Sequence, residues 1–289
     1  MIQYLYLGRV GYDEGLRLQA ELARLRQAGR VENTLLLLEH PAVLTLGRNA
    51  KRTNILATDE LLAARGVELH EIDRGGDVTY HGPGQLVGYP IFDLRSLHNP
   101  TSGRRLGPVD FVRLMEEALI RVCGVFGVTA GRIPALTGVW CPPDRKLLDE
   151  SSGIRPVSEG KIAAIGIHVS RGVTSHGFAF NVTTDLRDFN LIVPCGIADH
   201  PVTSLEKEML AGAGAASLRG FKIPSLEEVG EQAARQFGLV LNEQVLAVES
   251  LAALRAHTAT QAFPAEDTPL QVPEEIRRLM ESKGPTVRA

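Results

Sequence analysis

Three segments of this chain carry side chains that could do chemistry. Residues 74–85 read RGGDVTYHGPGQ, with four glycines and a proline between two apolar stretches. Such a run loses chain entropy without adding core. It also lets the backbone take positive φ and present bare N–H groups to a ligand, while Arg74, Tyr80, His81 and Gln85 offer donors and a titratable group. A tight glycine turn would account for the same string, and the phosphate-binding pattern GxxxxGK[ST] is not matched. The second segment, residues 160–182, opens a core-type strand with Lys161. A lysine there either snorkels from the strand end or is held inside for a role. His168 and His176 follow without a carboxylate motif, so they read as hydrogen-bonded sheet residues rather than metal ligands. The third segment, NLIVPCGI at residues 190–197, sets Cys195 between Pro194 and Gly196 at a loop end. A free cysteine packs as a small hydrophobe, or serves as a nucleophile when a nearby cation, helix N-terminus or base favours its thiolate. No local pattern supplies that partner, so it must come through the fold.

The elements that must position these segments are legible as periodicities. Residues 2–9 alternate as a strand, and a helix is predicted over 12–28, with Leu18, Leu22 and Leu25 on one face and Gly29 at its end. Residues 34–38 and 42–46 read as strands broken at His40 and Pro41. A second helix starts near Pro108, aligns Phe111, Leu114, Met115, Leu119 and Val122, and is predicted to stop at Gly124. Residues 85–94, 136–140, 161–170 and 174–182 are the predicted core strands, the last two joined as a hairpin around Arg171 and Gly172. A helix over 226–237 and a strand over 239–241 close the unit. Strands and helices do not alternate strictly, so the expected class is α+β, a mixed β-sheet with flanking helices. Residues 99–107 and 144–160 read as surface loops. Residues 1–241 form the expected catalytic domain, and 242–289, broken by Pro264, Pro269, Pro273 and Pro285, a C-terminal extension.

Composition narrows the function. The chain has 289 residues, 44% hydrophobic and 22% charged, which suits an ordinary globular protein. A net charge of -3 argues against a nucleic-acid binder, which needs a basic face for phosphates. No apolar run approaches the ~18 residues of a membrane span, and the N-terminal residues lack signal-peptide order, so a cytoplasmic protein is expected. Three cysteines without CxxC spacing suggest neither a disulfide framework nor a zinc knuckle.

Taken together, the strings RGG…TYHGPGQLVGYP, LTGVW, GKIAAIG, SHGFAFNV and PCGI, in this order and preceded by EHPAVLTLGR, resemble the lipoyl(octanoyl) transferase family, the octanoyltransferases of lipoate biosynthesis. The resemblance covers residues 1–241. It implies the fold of lipoate and biotin protein ligase catalytic domains and a reaction without metal or cofactor. The implied donor is octanoyl-acyl carrier protein, and the implied acceptor is a lysine on lipoyl domains of 2-oxoacid dehydrogenases or on glycine-cleavage H protein. Cys195 would carry the acyl group as a thioester, with Lys161 as its acid and base partner. By the same resemblance Arg74, Gly75, Gly76, Asp77, Val78, Thr79, Tyr80 and His81 line the acyl and thioester site. Ala164, Ile165, Gly166, Gly177, Phe178 and Ala179 form its other walls, their small side chains suiting a narrow slot for a linear chain.

The stretch between Trp140 and Lys161 is longer than is usual in that family, and Cys141 within it reads as an incidental exposed cysteine or a second thiol near the site. Arg48, Lys51, Arg52, Arg104 and Arg105 would either dock acidic carrier proteins or simply be solvated. The rival readings are an ATP-dependent lipoate or biotin protein ligase, for which Cys195 has no use, a cysteine-dependent lipoyl amidotransferase, and a non-catalytic acyl-binding protein.

Overall fold

The structure, a computed structural model, describes residues 1–142, 159–197, 199–212 and 222–260. Eleven strands and six α-helices follow one another among them: β1 Ile2–Arg9, α1 Tyr12–Gln27, β2 Asn33–Glu39, β3 Val43–Leu46, α2 Asp59–Ala64, β4 Glu68–Glu71, β5 Val78–His81, β6 Gln85–Ile91, α3 Pro108–Val125, β7 Gly131–Ile133, β8 Leu136–Cys141, β9 Gly160–Ser170, β10 Val173–Asn181, α4 Leu205–Gly212, α5 Leu226–Leu241, β11 Val245–Ala247 and α6 Leu251–Thr260. Eight strands form one mixed sheet in the order β11-β1-β2-β6-β10-β9-β8-β7, and β4-β3-β5 form a second, smaller one. No described helix is long and apolar enough to cross a membrane.

The run of four leucines in β2 is what a strand covered on both faces requires. Leu35 and Leu37 pack with α3 and α5 on one side, while Leu36 and Leu38 pack with α1 on the other. Across the ladder, Phe178 of β10 lays its ring where a Cβ on Gly88 of β6 would stand, 2.2 Å away. Gly88→Ala overpacks this contact and should cost about 2 kcal/mol, read as a lower urea midpoint. The β9–β10 hairpin turns through Arg171 (φ 50°) and Gly172 (φ 85°), the pair of left-handed residues that a tight two-residue turn needs. The small sheet has its own core, where Leu44, Val78 and Tyr80 meet Phe189, Leu191 and Ile192.

Several boundaries differ from expectation. α3 runs through Gly124 to Val125, and the positive φ of 74° that ends it belongs to Gly127. Residues 239–241 are the last turn of α5, stopped by left-handed Asn242, and the closing strand is β11. Residues 78–81, expected as part of a glycine loop, form β5. β11 pairs in parallel with β1, and Val248 and Leu254 are buried, so the packed unit runs past Leu241. The expected loop over 144–160 lies almost wholly outside the described residues.

Candidate active site

A cavity of about 290 Å³ opens on the α1 face of the large sheet, between β9 and β10 on one side and β5 on the other. One wall is made of small residues, with Gly177 opposite Gly166 and Ala179 opposite Ala164 in the β9–β10 ladder. Close approach requires these glycines. A Cβ on Gly177 would stand 2.1 Å from the Gly88 carbonyl oxygen, and one on Gly166 would stand 2.5 Å from that of Gly75. The Gly75 N–H donates to the Ile167 carbonyl at 3.0 Å, which seats the 74–76 loop on the edge of β9. Val87, Leu136 and Ile197 complete an apolar lining that Tyr12 and Tyr89 close at one side.

Both reactive candidates face this cavity, and both also line a small adjoining crevice with Gln85 and Asn181. Cys195 sits in a one-turn 3-10 helix, Pro194–Gly196, with φ 56° and ψ 19°. A non-glycine residue held left-handed persists only where its surroundings over-determine it. Here the Val193 N–H donates to the Asn54 carbonyl at 2.7 Å, and Asn54 Nδ2 donates to Asp77 Oδ2 at 2.6 Å. The same Asp77 oxygen lies 2.6 Å from where a Cβ on Gly196 would be, so that position admits only glycine without a shift. Of the three free cysteines, Cys195 alone is partly exposed. Burial pushes the Cys123 thiol up to about 12 and Cys141 further still. Cys141 is therefore neither exposed nor a second site thiol: it ends β8, 1% exposed, in the main core.

Lys161 does not snorkel. It is 7% exposed, with Nζ 4.6 Å from the centre of the Trp140 ring, a cation–π contact that holds an ammonium away from water. Gly138 makes room for its stem, since a Cβ there would lie 3.3 Å from Lys161 Cε. Its backbone is held on both sides, pairing with Trp140 of β8 and exchanging hydrogen bonds with Pro201 (2.9 Å) and Thr203 (3.0 Å).

Arg74 is the second cation of the cavity. It is 8% exposed, and among the described residues its donors reach only neutral oxygens: Thr45 carbonyl at 2.8 Å, Thr45 Oγ1 at 2.9 Å and Gly75 carbonyl at 3.1 Å. Burial pulls the guanidinium below its ordinary value, and the largest opposing influence is negative charge at Cys195. The histidines behind Arg74 are neutral, because burial holds His81 down to about 3 and His40 to about 4. His81 Nδ1–H donates to Gln85 Oε1 at 2.8 Å; His40 Nδ1–H donates to the Val10 carbonyl at 2.6 Å and its Nε2 accepts from the Tyr89 hydroxyl at 2.7 Å.

Of residues 74–81, Arg74, Gly76, Asp77, Thr79 and His81 reach the cavity, whereas Gly75, Val78 and Tyr80 do not. Strand alternation in β5 explains the split, sending Val78 and Tyr80 into the core of the small sheet, where the Tyr80 hydroxyl donates to Asp188 at 2.7 Å. Ala164, Ile165, Gly166, Gly177, Phe178 and Ala179 all line the cavity. Sequence reasoning missed Tyr12, Tyr89 and Leu136, which carry no local signal, and left His176 as a sheet residue. His176 lines the cavity at 5% exposure, with Nε2 2.8 Å from Asp73 Oδ1.

Comparison with known proteins follows the same lines. Residues 11–237 match the family model described as Lipoyl protein ligase A/B catalytic domain. The octanoyltransferase of Acidobacterium capsulatum is 56% identical over 260 residues, covering 90% of this chain and 98% of that protein. That of Koribacter versatilis is 51% identical over 282 residues, covering 97% and 98%. Among solved structures, a lipoate-protein ligase A bound with ATP superposes with a TM-score of 0.58 at 16% identity, covering 90% of this chain and 94% of that one. A lipoate protein ligase from Thermoplasma acidophilum gives 0.56 at 18% identity, covering 89% and 90%. At such identities these two likenesses speak for the fold alone.

Proposed function

Because this chain belongs to the lipoyl protein ligase A/B catalytic domain family, we propose that it transfers an octanoyl group from octanoyl-acyl carrier protein, through a thioester on Cys195, to a lysine of a lipoyl domain or of glycine-cleavage H protein. The observation that carries this reading is the convergence of Cys195 and Lys161 on one small-walled apolar cavity. Its volume of about 290 Å³ stands at the lower end for small-molecule sites, ~300–1,000 Å³, which suits a short linear chain better than a bulky nucleotide.

The chemistry divides into two acyl transfers. The Cys195 thiolate attacks the carrier thioester carbonyl, and as the carbon–sulfur bond to the carrier breaks, the Lys161 ammonium protonates the departing pantetheine sulfur. Arg74, a buried cation without a carboxylate partner among the described residues, lines the same cavity as Cys195 and supplies positive charge for the oxyanion that develops during attack. The acceptor amine then attacks the Cys195 thioester; the amide forms, the thiolate leaves, and neutral Lys161 takes a proton from the amine nitrogen. No ATP enters, because the acyl group arrives as a thioester. Arg48, Lys51 and Arg52 are exposed on the loop that Asp77 braces, and they offer a basic rim to an acidic carrier. Arg104 and Arg105 lie before α3, in a loop that contributes nothing to the cavity.

Incubation with octanoyl-acyl carrier protein in the absence of ATP should add one octanoyl group to the intact enzyme by mass spectrometry. If none is added, and ATP with free octanoate is required instead, the ligase reading replaces this one. Lys161→Ala should slow both acylation and amide formation by about 100-fold or more; a variant that keeps full speed in stopped-flow assays removes Lys161 from the mechanism.

A further inference from the structure

The transfer proposed above has a proton balance that Lys161 and Cys195 cannot close between them. In the first step Lys161 gives one proton to the carrier sulfur, and the Cys195 thiolate is consumed. In the second, the acceptor arrives as an ammonium and ends as an amide, losing two protons. Lys161 takes one and returns to its ammonium form, and Cys195 leaves as the thiolate it was at the start. One proton per turnover must therefore pass from the acceptor to solvent, and it must leave before the amine can attack.

We propose that His176 is the base that takes this first proton from the acceptor ammonium, with Asp73 holding its ring and leading the charge to the surface; the proposal rests on the function inferred above. His176 lines the cavity with a side chain 6% exposed, while Asp73, 2.8 Å from its Nε2, is 61% exposed, so the pair runs from cavity wall to solvent. Nε2–H donates to the carboxylate, which fixes the tautomer and leaves Nδ1 as the free lone pair. Among the described residues Nδ1 has no hydrogen-bond partner, in contrast to His40 and His81, whose ring nitrogens are both engaged.

The backbone supports the assignment independently. His176 has φ 56°, a left-handed conformation inside a strand, and its N–H is fixed at 2.7 Å by Gln19 Oε1 from α1. Strain of this kind in a cavity wall is a mark of a positioned functional side chain. The charged or titratable groups acting on or coupled to the ring are Asp73 and Arg74 from the loop before β5, His81 of β5, and His168 from β9, whose Nε2 is 3.6 Å from Asp73 Oδ2. Burial keeps the imidazole below its ordinary value, hence neutral and ready to accept. On protonation at Nδ1 the imidazolium is paired with Asp73; the Nε2 proton then passes by way of that exposed carboxylate to water, and exchange with solvent returns the ring to its Nε2–H tautomer before the next turnover.

Single-turnover kinetics on the full chain separate this role from a structural one. His176→Asn, which tolerates left-handed backbone, should acquire octanoyl from the carrier at nearly the wild-type rate and then pass it to a lipoyl domain about 100-fold more slowly at neutral pH. That defect should shrink as the pH rises towards the acceptor lysine's own titration range, and imidazole in the buffer should restore part of it. Asp73→Asn should slow the same step by a smaller factor. Unchanged amide formation, or equal slowing of both steps that neither pH nor imidazole relieves, overturns the assignment. A wild-type enzyme that never acquires octanoyl overturns the underlying function as well, and is distinguishable because it fails before His176 is needed.

Discussion

Cys195→Ala should leave the intact mass of the enzyme unchanged after incubation with octanoyl-acyl carrier protein, and turnover should fall by about four orders of magnitude or more. No other thiol can stand in. Cys123 and Cys141 are buried in the main core, and burial raises both thiols far above neutrality, so neither supplies a thiolate. The alanine variant should still fold, since the turn around position 195 is held by Asn54, Val193 and Asp77 rather than by the thiol. Residual octanoylation of the variant, mapped by peptide mass spectrometry to another residue, would sink the thioester assignment.

The largest stability loss is expected at Glu116. This carboxylate of α3 is fully buried and accepts from the Gly138 N–H at 3.0 Å, from Arg113 at 2.8 Å and from Arg132 at 3.1 Å. It thereby ties α3 to the β7–β8 hairpin that brings Gly138 and Trp140 against Lys161. Glu116→Ala orphans a buried N–H and separates two arginines from their shared anion. Because both arginines are partly exposed, the expected cost is about 3 kcal/mol, the lower end for breaking a buried pair. Urea denaturation should show it, and Glu116→Gln, which keeps the acceptor for Gly138, should lose less. Equal losses for the two variants would mean that the charge, not the hydrogen bond to the hairpin, carries the effect.

How far the sequence foretold this architecture depends on the range of the forces involved. The leucines of β2, the helical faces of α1 and α3 and the Arg171–Gly172 turn are local patterns, and each forms where its period indicates. The order of motifs likewise pointed to Lys161 and Cys195, although each side chain alone was open to a bland reading. What could not be read depends on contacts across the chain. β5 is a strand buried on both faces although Thr79 and His81 are polar, because the cavity takes one face and the Tyr80 core the other. The left-handed backbone of Cys195 is set by Asn54 and Asp77, more than a hundred positions away. Asp73 and His176 became a pair only when the loop before β5 settled on β9 and β10. Burial of Lys161 depends on a glycine and a tryptophan of a neighbouring strand, and a single-residue propensity contains no trace of either.

The parallel pairing of β1 with β11 bears on how the chain is made. Ile2 lies in register with Val245, and its N–H donates to the Gln244 carbonyl at 2.8 Å, so β1 waits for a strand made about 240 residues later. At roughly 5–20 residues per second, β1 presents an open, hydrophobic-sided edge for on the order of ten seconds or more. Truncation before residue 245 should leave that edge of β1 unpaired and convert a native seam into a site of self-association.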